Sequence, residues 1–162
     1  MVGAVLVIGA TGLYLSANEG NPGGDWKTTE LTPVDGDTSF TIDTLEKPVL
    51  VESFAVWCTT CTRQQQEIKQ LLTETNVSVV SLDVDPNEEP ALVRDHIEEH
   101  GFGWRYAIAP SAMTQQMVAD YGTSITNPPS APAVLVCENS TRRLPNGVKP
   151  ASKLQDEINA GC

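Results

Sequence analysis

Two cysteines separated by two residues stand where an apolar segment gives way to an amphipathic one. Cys58 and Cys61 lie in the sequence WCTTC at 57–61. Pro48–Ala55 is mostly apolar and predicts a central strand, and Thr59–Thr73 has apolar residues on one helical face. Backbone N–H groups and partial positive charge at a helix N-terminus stabilise a thiolate. The placement therefore predicts a reactive cysteine pair at a strand-to-helix junction.

The spacing of the pair permits disulfide exchange. Cys61 follows Cys58 within the first helical turn, so the two sulfurs can close a ring. In this interpretation Cys58 attacks a substrate disulfide and Cys61 resolves the mixed disulfide. The alternative is half of a zinc site, which needs two further ligands at close spacing. The other two cysteines, at positions 137 and 162, do not supply a second close pair.

Strand-like and helix-like segments alternate after the pair. Predicted strands are Val77–Val84, Trp104–Ala109, Ala133–Cys137 and Thr141–Leu144, and predicted helices are Glu88–His100, Ser111–Tyr121 and Ser152–Ala160. Before the pair, Lys27–Thr32 and Thr38–Ile42 flank an Asp-Gly turn and predict a β-hairpin. Together they predict an α/β sandwich with a central mixed sheet and an N-terminal hairpin extension.

The N-terminal segment has a different composition from the rest of the chain. Residues Val2–Asn18 carry no charged side chain. We expect a membrane anchor or signal segment at 1–17, a flexible Gly- and Pro-rich linker at 18–25 and the folded domain at 26–162. The alternative for the apolar run is a buried strand or core helix.

The overall charge restricts the possible partners. The formal net charge is −11, and such an acidic surface repels phosphate backbones. We therefore expect no nucleic-acid partner.

The segments described so far resemble the thioredoxin superfamily. The similarity runs from about Lys27 to Gly161 and is most like the membrane-tethered, extracytoplasmic (TlpA-type) branch related to the cytochrome-maturation reductants. It implies a thioredoxin-like three-layer sandwich. It is carried by four segments: Pro48–Cys61, Val79–Asp85, Asp120–Gly122 and Ala131–Val136.

The resemblance implies further site residues around the pair. Pro132, directly before a predicted strand, matches the superfamily's cis-proline, with Pro128 and Pro129 as competitors. The backbone of Ala131 would then pair with an extended substrate segment. Trp57 and Thr59, on either side of Cys58, would contribute to catalysis and substrate contact.

The resemblance also implies a buried carboxylate beneath the cysteine pair. Members of the superfamily often hold a buried acid six residues before the first cysteine, which is Glu52 here. Burial would raise its pKa and suit it to accept a proton from Cys61. The alternative is an exposed glutamate at a sheet edge.

In the resembled topology the last helix returns along the sheet, which would bring Cys162 close to Cys137. We therefore expect a second, structural disulfide between them. The alternative is two unrelated cysteines, one buried and one at a frayed terminus.

The pattern H-x-x-E-H at His96–His100 matches a metalloprotease motif, because two histidines four residues apart share a helix face. The sequence offers no obvious third ligand. We therefore expect a solvent-facing acidic helix surface and no metal site.

These features predict a thiol:disulfide oxidoreductase on the extracytoplasmic side, membrane-anchored or secreted. Its substrates would be protein thiols and disulfides, with electrons exchanged through a membrane or soluble partner. It would need no cofactor beyond the Cys58–Cys61 pair, and we expect a monomer. The alternative is a non-catalytic interaction or chaperone module on the same fold.

Overall fold

A five-stranded mixed sheet forms the centre of the molecule. The computed structural model describes residues 25–162, so the anchor and most of the linker predicted at 1–17 and 18–25 lie outside the described residues. The strand order is β3-β2-β1-β4-β5. The strands are β1 Val49–Phe54, β2 Ser78–Asp83, β3 Arg105–Ile108, β4 Ala133–Val136 and β5 Thr141–Arg143.

The central strand is β1, and its composition explains its position. It pairs in parallel with β2 and antiparallel with β4, and all six of its residues are buried. A strand covered on both faces carries a continuous apolar run rather than an alternating one. Glu52 is the one ionisable residue within that run.

Helices cover both faces of the sheet and complete the three predicted layers. On one face, α1 and α4 pack over Leu50 and its neighbours, and α2 contacts Phe54. On the other face, α3 supplies Met113 and Met117 against Val51. The helices are α1 Thr59–Leu71, α2 Pro90–His100, α3 Ser111–Tyr121 and α4 Ala151–Gly161.

The predicted N-terminal hairpin is reduced to one antiparallel bridge between Leu31 and Phe40. Those two residues exchange both backbone hydrogen bonds, at 2.8 and 2.9 Å. The flanking segments instead form 3-10 turns at Trp26–Thr28 and Ile42–Thr44. The side chain of Asp25 caps the first turn, a local hydrogen bond that competes with strand pairing.

A second disulfide joins the end of β4 to the end of α4. Cys137 and Cys162 are paired with their Cα atoms 5.3 Å apart, within the range that a disulfide can span. The bond ties α4 to the sheet from its C-terminal end. Among residues 25–162, no helix combines the length and the apolar character that a bilayer-spanning segment needs.

Candidate active site

The Cys58–Cys61 pair lies at the junction between β1 and α1, as the sequence predicts. The two residues form a disulfide with Cα atoms 5.2 Å apart. Cys58 is the N-cap of α1, and its Sγ accepts a hydrogen bond from the backbone N–H of Cys61 at 3.1 Å. In the reduced protein the same N–H is placed to stabilise a Cys58 thiolate.

Exposure does not distinguish the two sulfurs in the oxidised form. Cys58 is 3% exposed and Cys61 is 1% exposed. The side chains of Trp57 and Thr59 on either side of Cys58 are exposed, and Trp57 is 58% exposed. Their positions allow both side chains to contact a substrate that approaches Cys58.

Two carboxylates hold the loop before Cys58. The indole Nε1 of Trp57 donates to Asp85 Oδ2 at 2.7 Å, and the backbone N–H of Val56 donates to the carboxylate of Glu88 at 2.8 and 3.1 Å. Close by, burial raises the pKa of Asp83 to about 8, and the negative charge of Glu88 adds to the effect. Sequence reasoning missed these residues, because an acid at the end of a strand and two more in the segment after it look like an ordinary polar loop.

Pro128 lies against the cysteine pair. Its carbonyl oxygen lies 3.3 Å from Cys61 Sγ. The cis peptide bond predicted before Pro132 is not found: within residues 25–162 the cis bond joins Lys47 and Pro48. Ala131 reverses the chain instead, by taking a left-handed conformation with φ 44° after a 3-10 turn that includes Pro128.

The backbone of Ala131 already has intramolecular partners. Its N–H donates to Pro128 O at 2.8 Å, and its carbonyl accepts from Lys149 Nζ at 2.9 Å. The residue is also buried. Backbone pairing of Ala131 with a substrate, as predicted from the sequence, therefore requires these hydrogen bonds to be released.

Lys149 is a buried cation that the sequence analysis missed. Its ammonium also donates to the carbonyls of Pro145 and Gly147, at 3.0 and 2.6 Å, and Gln64 on α1 holds its backbone at both polar atoms. Burial lowers the pKa of Lys149 to about 8, although attraction to Glu52 opposes the shift. A single lysine in a polar loop carries no sequence signal for this role.

Glu52 is buried, at 2% exposure. It lies in one row across the sheet with Ser81 of β2 and Tyr106 of β3, so the three side chains share a face. Ser81 Oγ donates to Glu52 and accepts from Trp104 Nε1 at 2.8 Å. Desolvation raises the pKa of Glu52 to about 7, against the opposing effects of Ser81, Gln65 and Lys149.

The histidine pattern on α2 does not form the solvent-facing surface predicted from the sequence. His96 is buried and hydrogen-bonds to Gln65 of α1, with His96 Nε2 and Gln65 Oε1 2.6 Å apart. Its ring also stacks on Phe54. Glu98 and Glu99 do face solvent, but the prediction was wrong for the histidines, because α2 packs their edge against α1 and β1, which a single amphipathic pattern does not reveal.

Sequence comparison finds that part of the chain is similar to thioredoxin. A family model described as thioredoxin matches residues 33–97. Thioredoxins from Mycobacterium bovis and Mycobacterium tuberculosis are 42% identical over 59 residues, which is 34% of this chain and 51% of theirs. The chain thus spans about half the length of these curated relatives.

Structural comparison extends the similarity to most of the chain. A thioredoxin-related protein from Neisseria meningitidis superposes with a TM-score of 0.66 at 14% identity, covering 81% of this chain and 97% of that one. A secreted Mycobacterium tuberculosis disulfide oxidoreductase homologous to E. coli DsbE gives 0.62 at 14% identity, covering 83% and 97%. The predicted thioredoxin-like fold and the resemblance to the thioredoxin superfamily are confirmed.

The raised pKa of Glu52 predicts a pH-dependent effect of its removal. A carboxyl whose pKa rises from 4.5 to about 7 on folding favours the folded state fully below 4.5, and that contribution is lost as the pH rises through about 7. Glu52→Gln should therefore raise the free energy of unfolding by about 1–3 kcal/mol at pH 8 and change it little at pH 4.

Urea unfolding of the full chain at the two pH values measures this difference. The control is Glu98→Gln, because Glu98 is exposed on α2. A destabilised Glu52→Gln variant at pH 8 would contradict the assignment of Glu52 as a buried acid that folding makes costly to ionise.

Proposed function

We propose that this thioredoxin-fold chain is a thiol:disulfide oxidoreductase that acts on protein cysteines through Cys58 and Cys61. The observation that carries the proposal is the position of Cys58 as the N-cap of α1, where its Sγ accepts the N–H of Cys61. A disulfide with a purely structural role has no need of a helix N-terminus directed at one sulfur. Zinc binding is less well supported, since no cluster of three or more potential metal ligands occurs among residues 25–162.

In the reducing direction, the Cys58 thiolate attacks one sulfur of a substrate disulfide. A mixed disulfide forms, and the other substrate sulfur leaves as a thiolate. The thiol of Cys61 then loses its proton, and its thiolate attacks Cys58 Sγ. The Cys58–Cys61 disulfide forms, the second substrate thiolate leaves, and two electrons have passed from the pair to the substrate.

Glu52 is the proposed acceptor of the Cys61 proton. Cys61 and Gln65 lie four residues apart on α1 and so share a helix face, and Gln65 is close enough to Glu52 to lower its pKa. The pKa of Glu52, about 7, is well matched to proton exchange near neutral pH.

The two cysteines should differ in a trapping experiment. Cys61→Ser leaves a mixed disulfide on Cys58 unresolved and should accumulate covalent, dithiothreitol-sensitive complexes with protein substrates. Cys58→Ser should not. The full chain should also catalyse insulin reduction, with turnover lost by at least 100-fold in either variant.

The reverse trapping pattern would overturn the assignment of roles. Absence of turnover in the full chain, together with absence of trapped complexes, would favour the alternative of a non-catalytic interaction or chaperone module on the same fold.

The location proposed for this activity is outside the cytoplasmic membrane. The uncharged run Val2–Asn18 is a suitable anchor or signal, and disulfides such as Cys137–Cys162 persist mainly in oxidising compartments. The similar Mycobacterium tuberculosis oxidoreductase is described as secreted. A membrane or soluble thiol partner would then return the Cys58–Cys61 pair to its working redox state.

Thiol trapping in intact cells tests this location. Cells that express the full chain are acid-quenched and alkylated before lysis, and Cys162→Ser identifies the band that carries the second disulfide. We expect Cys137–Cys162 to be oxidised and the chain to sediment with membranes or to be secreted. A soluble cytoplasmic chain with all four cysteines reduced would contradict the proposal.

A further inference from the structure

Gln65 carries a buried amide that lies between two ionisable side chains, those of Glu52 and His96. It lies on α1, is fully buried, and its Oε1 is 2.6 Å from His96 Nε2. Its Nε2 has no hydrogen-bond partner, although it faces Glu52 closely enough to lower the pKa of that carboxyl. A buried donor without a partner is costly, so this one requires an explanation.

The orientation of the amide follows from its two neighbours. If His96 Nε2 carries the proton, it donates to Gln65 Oε1 and leaves the amide NH2 directed toward Glu52. In the flipped orientation the amide oxygen would face the Glu52 carboxylate, and two acceptors would oppose each other. The first arrangement is therefore the stable one when Glu52 is ionised.

The ring of His96 is itself held in place by its surroundings. It stacks on Phe54 with centroids 6.0 Å apart and packs against His100 and Phe102 at 4.6 and 5.6 Å. Burial and the nearby His100 lower the pKa of His96, which favours the neutral ring. A neutral, fixed imidazole can define which end of the Gln65 amide faces Glu52.

We propose that Gln65 and His96 are positioning residues for Glu52. His96 orients the Gln65 amide, and the amide NH2 is the hydrogen-bond donor that receives the Glu52 carboxylate in its ionised form. The proposal rests on the function proposed above, because an ionised Glu52 is needed before it can accept the Cys61 proton. Without this donor, Glu52 would stay protonated to higher pH and would be a poorer base at neutrality.

Other groups also face Glu52, and the test must leave them unchanged. Lys149 faces it from the loop before α4, Ser81 from β2 and Tyr106 from β3. The cysteine pair lies at the start of α1. None of these groups is altered by a substitution at Gln65, and the titratable neighbours of His96 are His100 and Glu99.

Carboxyl 13C NMR of the oxidised full chain, labelled in glutamate, measures the titration of Glu52 directly. The Glu52→Gln variant assigns the signal. A hydrogen bond to a charged group lost in Gln65→Met should raise the midpoint by about 1 pH unit. His96→Phe keeps an aromatic ring against Phe54 but removes the donor, and it should raise the midpoint in the same direction.

Two further variants distinguish orientation from packing. His96→Gln retains an N–H donor near the position of Nε2 and should restore most of the wild-type midpoint. Glu98→Gln, at an exposed position on the same helix, should leave it unchanged. An unchanged midpoint in whichever of Gln65→Met and His96→Phe folds would overturn the proposal, as would a His96→Gln midpoint equal to that of His96→Phe.

The pH dependence of the resolving step provides a second, separate measurement. In Gln65→Met, the pH profile of the resolving step should move to higher pH together with the Glu52 titration. If the wild-type chain did not catalyse insulin reduction, the proposed function would be refuted. The Glu52 titration would still decide whether Gln65 positions Glu52. A shifted titration with an unmoved kinetic profile would overturn the link between Gln65 and catalysis.

Discussion

The hydrogen bond from the Cys61 N–H to Cys58 Sγ depends on a helix that begins immediately after a buried strand. Because β1 is paired on both sides and covered on both faces, its end is fixed in position. Ala55, Val56 and Trp57 then lead directly to the N-cap of α1. The N–H of Cys61, in the first turn of the helix, is therefore directed at the sulfur of Cys58. The chemistry proposed for the pair follows from this junction.

Two buried groups of opposite charge lie behind the pair, and burial moves the pKa values of both toward neutrality. Desolvation raises the pKa of Glu52 to about 7 and lowers that of Lys149 to about 8. Their mutual attraction opposes both shifts without cancelling them. The same burial that destabilises the ionised Glu52 brings its pKa close to neutral pH, which is what the proposed proton exchange with Cys61 requires.

The loop before β4 is held by the same cation. Lys149 Nζ donates to Ala131 O, and Ala131 N–H donates to Pro128 O, whose carbonyl lies against Cys61. This chain of contacts connects the charge near Glu52 to the backbone beside the disulfide.

The sequence predicted the parts of the structure that depend on local pattern. Apolar, β-branched runs and helical periodicity placed the strands and helices from Pro48 onward within a few residues, and the resemblance to the thioredoxin superfamily implied the burial of Glu52. The parts it missed depend on tertiary contacts. His96 is buried because α2 packs on Gln65 and Phe54, and the chain reversal at Ala131 replaces the expected cis bond at Pro132. Lys149 donates to the carbonyls of Ala131, Pro145 and Gly147 only in the folded chain, where these loops meet around its ammonium.

The central claim is that the helix N-terminus makes Cys58, and not Cys61, the nucleophile. Rapid alkylation of the reduced full chain across a pH series, with each cysteine quantified by peptide mass, tests this most directly. The account predicts that Cys58 is modified first and that its rate is half-maximal below pH ~8.5, the ordinary value for a thiol. Equal modification of both cysteines, or a Cys58 rate that rises only above that pH, would contradict it.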